Sequence, residues 1–279
     1  MWQGREPHPR ADDTKMVITT SITASKRLTE KAISIGEKYN IPYIPRRERS
    51  LEYIFEHCDS QVFVVNDRHG LSVYESGKQE AFFHPNMAFL RMKNLMNGRK
   101  DSLAEVCGLH SGLSFLDATL GLASDALTAS FVLGGNGVCT GLEKSKIIYI
   151  LVKEGLIHYA ERYPEFRESA ERIGIHHCDN IEYLKACGRG QYDIVYFDFM
   201  FAEPISASKG IQMIRDYAAK DSLSPLCFEE AKRVAGRSVV VKCDRGDVKR
   251  LLEMGFKVQK ENSRKSFYYL KYEKEGMTE

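Results

Sequence analysis

Five short apolar runs, each separated from the next by a helical stretch, follow one another in the second half of the chain. The runs cover residues 115–117, 137–142, 173–176, 192–198 and 238–242, with helical patterns at 124–134, 144–160, 180–187 and 223–235 between them. Strands that lie parallel in one sheet need long crossover connections, usually helices. The alternation therefore predicts an α/β fold with a mostly parallel sheet and helices on both of its faces.

The last two strand-like runs have no helix between them. A helical pattern at 247–254 leads into runs at 256–260 and 266–272. Because a short connection joins antiparallel strands, we expect the last strand to insert antiparallel into the sheet. The whole pattern predicts a Rossmann-like, seven-stranded sheet whose ligand binds at the carboxyl ends of the strands.

The residues before this alternation form further segments. Residues 1–15 contain two prolines and show no periodicity, so we expect a disordered leader or an artificial extension. Residues 16–85 combine strand-like runs at 17–20, 62–65, 71–74 and 81–83 with helices at 25–39 and 51–57, which predicts a small α/β lobe. Residues 86–279 would then form the large ligand-binding domain.

Composition narrows the class of protein. The 279 residues are 43% hydrophobic, enough for a sizeable core. No stretch approaches the roughly 20 apolar residues of a membrane helix and no secretory signal opens the chain, so we expect a cytoplasmic protein.

The seven cysteines include no C-x-x-C pair, which favours reduced thiols. Residues 176–178, His-His-Cys, lack a second ligand group at metal-binding spacing, so we expect no metal site.

The first run ends in a turn of small residues followed by a helix. Asp117 closes the run, Gly121 lies in the turn, and the helix starts near Ser124. Small residues allow close backbone approach to a ligand, and the free amides at a helix start face it. Glu143 follows Gly121 by 22 residues at the end of the next run, the spacing of an acid that holds ribose hydroxyls. An N-cap of the next helix is the alternative role for Glu143.

A second motif ends the fourth run. There Asp198 is followed by Phe199, Met200 and Phe201. A carboxylate at that strand tip could accept hydrogen bonds from an exocyclic base amine, while an aromatic ring stacks on the base. The irregular segment 199–221 exceeds the usual loop length, which makes it a candidate substrate lid or a plain surface loop.

Together these residues resemble the class I S-adenosylmethionine (SAM)-dependent methyltransferases. The likeness is strongest to the family that methylates guanine N2 in small-subunit ribosomal RNA near its 3′ end, and to its uncharacterised relatives in Firmicutes. Its first motif, D-A-T-x-G-L-x-x-D-A, matches residues 117–126 at every fixed position. The family usually has arginine where Ser124 stands and proline where Phe199 stands. The resemblance covers residues 83–272.

The resemblance implies roles for these positions. Asp125 and the turn backbone would hold the methionine portion of SAM, Glu143 the ribose hydroxyls, and Asp179 or Asn180 the adenine amine. The implied cofactor residues are Asp117, Thr119, Gly121, Ser124, Asp125, Glu143, Lys144, Asp179, Asn180 and Asp198, and the implied catalytic residues are Asp198, Phe199, Met200 and Phe201. Asp179 as a helix N-cap and Asp125 as an ordinary first-turn acid remain alternatives.

The implied reaction is methyl transfer from SAM to the exocyclic N2 of a guanine in ribosomal RNA, without a metal and away from membranes. A net charge of +2 does not by itself indicate nucleic acid, so RNA contacts would come from local basic groups. The candidate groups are residues 46–49, Arg91 and Lys93 with Arg99 and Lys100, Arg245 with Lys249 and Arg250, and Arg264 with Lys265. An ordinary solvated surface is the alternative interpretation of each group.

Two other functions stay open on sequence grounds. An NAD(P)-dependent oxidoreductase uses the same kind of sheet, although Ala123 and Ala126 stand where the later glycines of G-x-G-x-x-G would be. A non-catalytic RNA-binding protein with a methyltransferase fold is the other, suggested by Ser124 and Phe199, since a fold does not dictate activity.

Overall fold

The computed structural model of the chain describes residues 16–58, 61–199, 217, 222–262 and 267–274. It divides into two compact units, one ending at Phe82 and the other beginning at Phe83. Within the described ranges, no helix is both long and apolar enough to cross a membrane. The segment 1–15 and nearly all of the candidate lid at 199–221 lie outside the described residues.

The first unit contains a four-stranded sheet. Its elements are β1 (Met16–Thr20), α1 (Lys26–Tyr39), α2 (Leu51–Cys58), β2 (Gln61–Asn66), β3 (Gly70–Tyr74) and β4 (Ala81–Phe82). The strands follow the order β1-β2-β3-β4, with β1 parallel to β2 and the other neighbours antiparallel. Ser25 caps α1 by accepting a hydrogen bond from the Leu28 amide at 3.3 Å. The unit has the α/β composition predicted for the small lobe.

The second unit contains the large sheet. Its elements are α3 (Asn86–Met96), α4 (Ser102–Cys107), β5 (Ser114–Asp117), α5 (Ser124–Leu133), β6 (Val138–Glu143), α6 (Lys146–Arg162), α7 (Pro164–Glu171), β7 (Ile173–His177), α8 (Asn180–Ala186), β8 (Tyr192–Asp198), α9 (Pro225–Val234), β9 (Ala235–Asp244), α10 (Arg245–Glu253), β10 (Lys257–Asn262) and β11 (Phe267–Glu273). The strand order is β10-β11-β9-β8-β5-β6-β7.

The order of the strands determines where a ligand can bind. Strands β5 to β9 are parallel, and β11 lies between β9 and β10 and runs antiparallel to both. The predicted antiparallel insertion of the last strand is confirmed. From β5 the chain proceeds to β6 and β7 on one side and then returns to β8 and β9 on the other. Ligands of open α/β sheets bind at the carboxyl ends of the strands beside such a reversal.

The central strands are buried on both faces. Phe115 and Leu116 in β5 and Val195 and Tyr196 in β8 are 0% exposed. Helices cover both faces of a parallel sheet, so its strands are continuously apolar and do not alternate with polar residues. This is why the runs were visible in the sequence.

One helix begins later than predicted, and another was not predicted. Helix α6 begins at Lys146 and not at 144, because the Ser145 hydroxyl caps it by accepting a hydrogen bond from the Ile148 amide at 3.4 Å. Helix α7 was not predicted. It begins at Pro164, where the missing amide hydrogen costs nothing because the first helical residue has no intrahelical acceptor.

Candidate active site at the carboxyl ends of the strands

The turn that follows β5 is hydrogen-bonded to the tip of β6. The Leu120 amide donates to the Leu142 carbonyl at 2.8 Å, and the Gly121 amide donates to Glu143 Oε2 at 3.0 Å. Gly121 has a left-handed backbone with φ of +50°. Within the part of the chain that the structure describes, the nearest atom that a Cβ added there would meet is the Thr119 carbonyl oxygen at 3.9 Å. The turn is therefore fixed in shape and leaves room beside its glycine.

Asp117 and Thr119 join this turn to β8. Asp117 is 1% exposed and accepts a hydrogen bond from the Thr119 amide at 3.1 Å. Burial, together with the nearby charge of Asp125, raises the pKa of Asp117. Thr119 Oγ1 accepts a hydrogen bond from the Asp198 amide at 2.6 Å. The two motifs singled out in the sequence thus meet directly, although 79 residues separate these two positions.

Glu143 supports the same turn from β6. It is 7% exposed, and its second oxygen accepts a hydrogen bond from the Ser145 amide at 2.8 Å. Burial raises the pKa of Glu143 to about 7, although backbone hydrogen bonds act in the opposite direction. The N-cap of α6 is Ser145, so Glu143 does not have that alternative role. Each carboxylate oxygen has two acceptor positions, which leaves capacity for a ligand hydroxyl.

The loop after β7 is tied to the loops beside it. Lys144 Nζ lies 3.1 Å from Asp179 Oδ2. Asp179 Oδ1 accepts a hydrogen bond from the Ile181 amide at 2.9 Å and caps α8, as its alternative interpretation held. Asn180 Nδ2 donates to the Ala118 carbonyl oxygen at 3.3 Å. Both side chains are therefore already engaged in holding the loops together.

Asp125, in the first turn of α5, faces a buried network. It accepts hydrogen bonds from Arg91 Nη1 at 2.5 Å and from the Tyr196 hydroxyl at 2.9 Å, and Lys242 Nζ lies 3.8 Å from its Oδ2. Burial by itself would raise the pKa of Asp125, but the charges of Lys242 and Arg91 lower it overall. Ser124 precedes it, and the Ser124 carbonyl accepts a hydrogen bond from the Thr128 hydroxyl at 2.9 Å. Asp125 is thus the centre of an internal charge cluster.

Arg91 connects α3 to this cluster. Its Nε and Nη2 donate to the two carboxylate oxygens of Asp101 at 2.8 and 2.9 Å, and Asp101 also caps α4. The Arg91 side chain is only 18% exposed. The prediction that Arg91 lies on a basic RNA-facing surface is therefore wrong, because its guanidinium is bound to two carboxylates, Asp101 and Asp125, that are themselves only 10% and 11% exposed. Arg46, at 7% exposure, likewise does not present its charge to solvent.

Asp198 ends β8 beside Lys242. The two residues are register partners on the parallel strands β8 and β9, and Lys242 Nζ lies 2.5 Å from Asp198 Oδ2. Burial raises the pKa of Asp198 to about 6, with the Lys242 charge opposing and the Asp125 charge adding to the rise. The Phe199 ring is stacked on Phe197 with 5.4 Å between centroids. Met200 and Phe201, the other predicted catalytic residues, lie outside the described residues.

The structure brings most of the predicted site residues together and adds others. Bonds link the turn after β5 to the tips of β6 and β8 and to Asn180. Lys242, Tyr196 and Asp101 were missed. Lys242 could have been found from the sequence, because a charged residue at the end of a buried apolar strand is rare unless an opposite charge pairs with it. Across the described ranges, no group of three or more His, Cys, Asp or Glu side chains is arranged to hold a metal.

These features fit SAM. The space beside Gly121 admits close approach of a ligand to the turn, which a side chain there would obstruct. Glu143 places a buried carboxylate with spare acceptor positions next to that space, as ribose hydroxyls require. The start of α5 adds the partial positive charge of a helix N-terminus.

Comparison with known proteins gives consistent matches. Residues 50–269 match the model of a family described as "Putative SAM-dependent methyltransferase". Protein YpiP of Bacillus subtilis is 35% identical over 244 residues, which cover 88% of this chain and 94% of YpiP. Ribosomal RNA small subunit methyltransferase J of Desulfotalea psychrophila is 27% identical over 230 residues, covering 77% of this chain and 82% of that protein.

A solved structure agrees in fold. A SAM-dependent methyltransferase from Neisseria gonorrhoeae aligns with 94% of this chain and 97% of its own, with a TM-score of 0.57 at 17% identity. Together with the strand order, this establishes the Rossmann-like class I methyltransferase fold. Because the family match spans most of the chain, the chain belongs to the SAM-dependent methyltransferases and uses S-adenosylmethionine as its cofactor.

Proposed function

We propose that this methyltransferase acts on the exocyclic N2 of a guanine in small-subunit ribosomal RNA. The observation that carries the proposal is the position of Asp198. Its amide donates a hydrogen bond to Thr119 in the turn after β5. Its side chain lies at the end of β8 and is 26% exposed. A carboxylate beside a methyl donor can receive and align an amine. The name of the Desulfotalea relative, a ribosomal RNA small subunit methyltransferase, supports RNA as the substrate.

The reaction requires mainly that the acceptor nitrogen be aligned with the methyl group of SAM. SAM, when bound, supplies a methyl group already activated by its sulfonium. The acceptor nitrogen forms the new N–C bond while the C–S bond breaks and its electron pair remains on sulfur. The nitrogen then loses a proton, which Asp198 receives directly or through water. With its pKa at about 6, Asp198 is mostly ionised at neutral pH and ready to accept.

The target base would stack on an aromatic side chain. The Phe199 ring follows Asp198 directly and is supported by Phe197. A base taken out of its helix gains stacking energy on such a ring. We also assign catalytic roles to Met200 and Phe201, so that residues 198–201 together form the catalytic motif.

We assign cofactor binding to the residues around the turn after β5. Gly121 and the start of α5 would hold the methionine portion, Glu143 the ribose hydroxyls, and the loop of Asp179 and Asn180 the adenine amine. Asp125 would contribute by shaping the start of α5, because its carboxylate is engaged by Arg91 and Tyr196. The remaining members of the proposed cofactor site are Asp117, Thr119, Ser124, Lys144 and Asp198.

RNA would contact the exposed basic residues. Lys93 and Arg99 near the end of α3, and Arg245 and Lys249 on α10, are exposed. Phosphate contacts of this kind position a nucleic acid without reading its sequence. We further propose that residues 86–279 act as the methyltransferase domain, that residues 16–85 form a separate lobe, and that the protein works in the cytoplasm.

The test is methyl transfer to RNA prepared from cells that lack this protein. Labelled SAM should place label on one guanine as N2-methylguanine, and the Asp198→Asn variant should transfer little. RNA from cells that contain the protein should accept no label at that position. RNA binding without transfer would favour the non-catalytic alternative, and label in a protein or small molecule would move the substrate elsewhere. Either result contradicts the proposal.

A further inference from the structure

Lys242 is a charged residue at the end of an otherwise apolar, buried strand. It follows Val239, Val240 and Val241 on β9, none of which is more than 3% exposed. Its own side chain is 19% exposed. Taking an ammonium group out of water is costly unless opposite charges surround it. A lysine here is therefore stable only because of its neighbours.

Three elements hold the ammonium group of Lys242. Its Nζ lies 2.5 Å from Asp198 Oδ2 on β8 and 3.8 Å from Asp125 Oδ2 on α5. It also lies 5.4 Å from the centroid of the Phe267 ring on β11, within the range of a cation–π interaction. Contacts from three directions restrict the position of Nζ, and the charge-assisted bond to Asp198 is the shortest of them.

Asp125 is in turn held from its other side. Arg91 Nη1 and the Tyr196 hydroxyl both donate to its carboxylate. Asp125 therefore cannot follow Lys242 without breaking these bonds. The result is a continuous chain of charged contacts from α3 to the tip of β8, and Lys242 is the member that touches the Asp198 carboxylate.

The backbone around Asp198 does not orient that carboxylate. The amide of Asp198 is held by Thr119 Oγ1, but an amide contact leaves the side chain free to rotate. The next residue, Phe199, does not lock its own φ as a proline would. The bond from Lys242 to Oδ2 supplies the restraint on the side chain. A carboxylate has further acceptor positions, so this bond leaves capacity for a substrate amine.

We infer that Lys242 is a positioning residue for methyl transfer, which aims the Asp198 carboxylate at the acceptor nitrogen. The inference rests on the proposed function and deepens it. As the N–C bond forms and the C–S bond breaks with its electrons on sulfur, the proton of the nitrogen passes to Asp198. Lys242 keeps its own proton throughout and balances the carboxylate charge.

The charge of Lys242 also affects the pH at which Asp198 becomes ionised. Burial and the Asp125 charge raise the pKa of Asp198, and Lys242 opposes this rise. Among the described residues, the other titratable groups that interact with Asp198 are Asp117 on β5, Tyr196 on β8, Cys243 on β9 and Tyr269 on β11. Without the ammonium, burial and Asp125 act unopposed, so the pKa of Asp198 should rise above about 6.

The experiment compares Lys242→Met and Lys242→Arg with the wild-type chain. Lys260→Met is the matched control, because Lys260 on β10 also pairs with a carboxylate, Glu105, at 2.9 Å. For each protein, kcat is measured against pH on undermethylated small-subunit RNA, and the Kd of S-adenosylhomocysteine is measured by calorimetry. The carboxyl ¹³C shift of Asp198, followed against pH without cofactor, gives a readout independent of turnover.

We expect Lys242→Met to lower kcat on the order of 10²-fold with little change in the Kd of S-adenosylhomocysteine. In this variant, the acidic limb of the kcat–pH profile and the midpoint of the Asp198 titration should both move up by about one pH unit. Lys242→Arg should restore the wild-type titration, and Lys260→Met should behave as wild type. Should Lys242→Met fail to fold, Lys242→Gln removes the same charge and carries the same expectations.

An unchanged Asp198 titration, or an equal loss of kcat and of cofactor affinity, would overturn the inference, because Lys242 would then only support the fold. Failure of the proposed function gives a different result. In that case the wild-type chain itself transfers no methyl group to RNA, while the Asp198 titration still reports on Lys242.

Discussion

Replacing Arg91 with methionine removes one charge and keeps most of the apolar stem. The Arg91, Asp101 and Asp125 side chains are 18%, 10% and 11% exposed, so both ion pairs are largely withdrawn from water. Removing one partner of a buried pair costs about 3–5 kcal/mol, since the other charge is left uncompensated. Here Asp101 keeps its helix-capping bonds and Asp125 keeps Tyr196 and Lys242. We therefore expect a loss of about 3 kcal/mol, at the lower end of the range.

Urea and thermal unfolding measure this loss. For a unit of this size, about 3 kcal/mol corresponds to a Tm lowered by roughly 6–12 °C. Lys185→Met is the control, because Lys185 and Glu182 are paired at 3.3 Å with side chains 46% and 62% exposed. Exposed pairs contribute about 0–1 kcal/mol. Equally small losses in the two variants would refute the reasoning, because the buried cluster would then stabilise no more than a surface pair does.

The Arg91→Met variant should also change the response to acid. Burial would raise the pKa of Asp101, but its bonds to Arg91 lower it overall. A carboxyl group with a lowered pKa in the folded state contributes stability above its unfolded pKa of about 4 and loses it as pH falls. Wild-type stability should therefore fall more steeply below about pH 4 than that of the variant. If the stability of the two proteins fell equally with decreasing pH, the pairing of Arg91 with Asp101 would be contradicted.

Three further predictions concern the site. Asp198→Asn should lower kcat on the order of 10²–10⁴-fold with little change in the Kd of S-adenosylhomocysteine, and equal losses would make Asp198 mainly a cofactor ligand. Burial raises the pKa of Glu143 from 4.5 to about 7, so wild-type stability should decrease as pH rises from about 4.5 to about 7 and should level off above that. Glu143→Gln should lack this decrease, and the same slope in both proteins would exclude Glu143 as its source. S-adenosylhomocysteine at 100 times its Kd should stabilise the chain by about 2.7 kcal/mol, whereas NAD should leave the Tm unchanged; a shift with NAD would contradict the cofactor assignment.

The sequence by itself determined the strands of the second unit and their assembly into one mostly parallel sheet. Continuous apolar runs separated by helices required parallel strands, and the missing helix before the last run required an antiparallel insertion, both of which the structure contains. It also indicated that Gly121 and Glu143 lie close together, because strand tips in a parallel sheet share one edge. These predictions succeeded because burial on both faces and connection length act locally along the chain.

Only the tertiary structure decided the partners of the charged residues. Arg91 reads as a surface residue of α3, yet it binds Asp125, 34 positions later. Lys242 contacts Asp198, 44 positions earlier, because β9 lies next to β8 in register. A charged side chain looks the same in the sequence whether water or an opposite charge surrounds it. Strand order and register determine which of the two it meets, and both arise from contacts between distant parts of the chain.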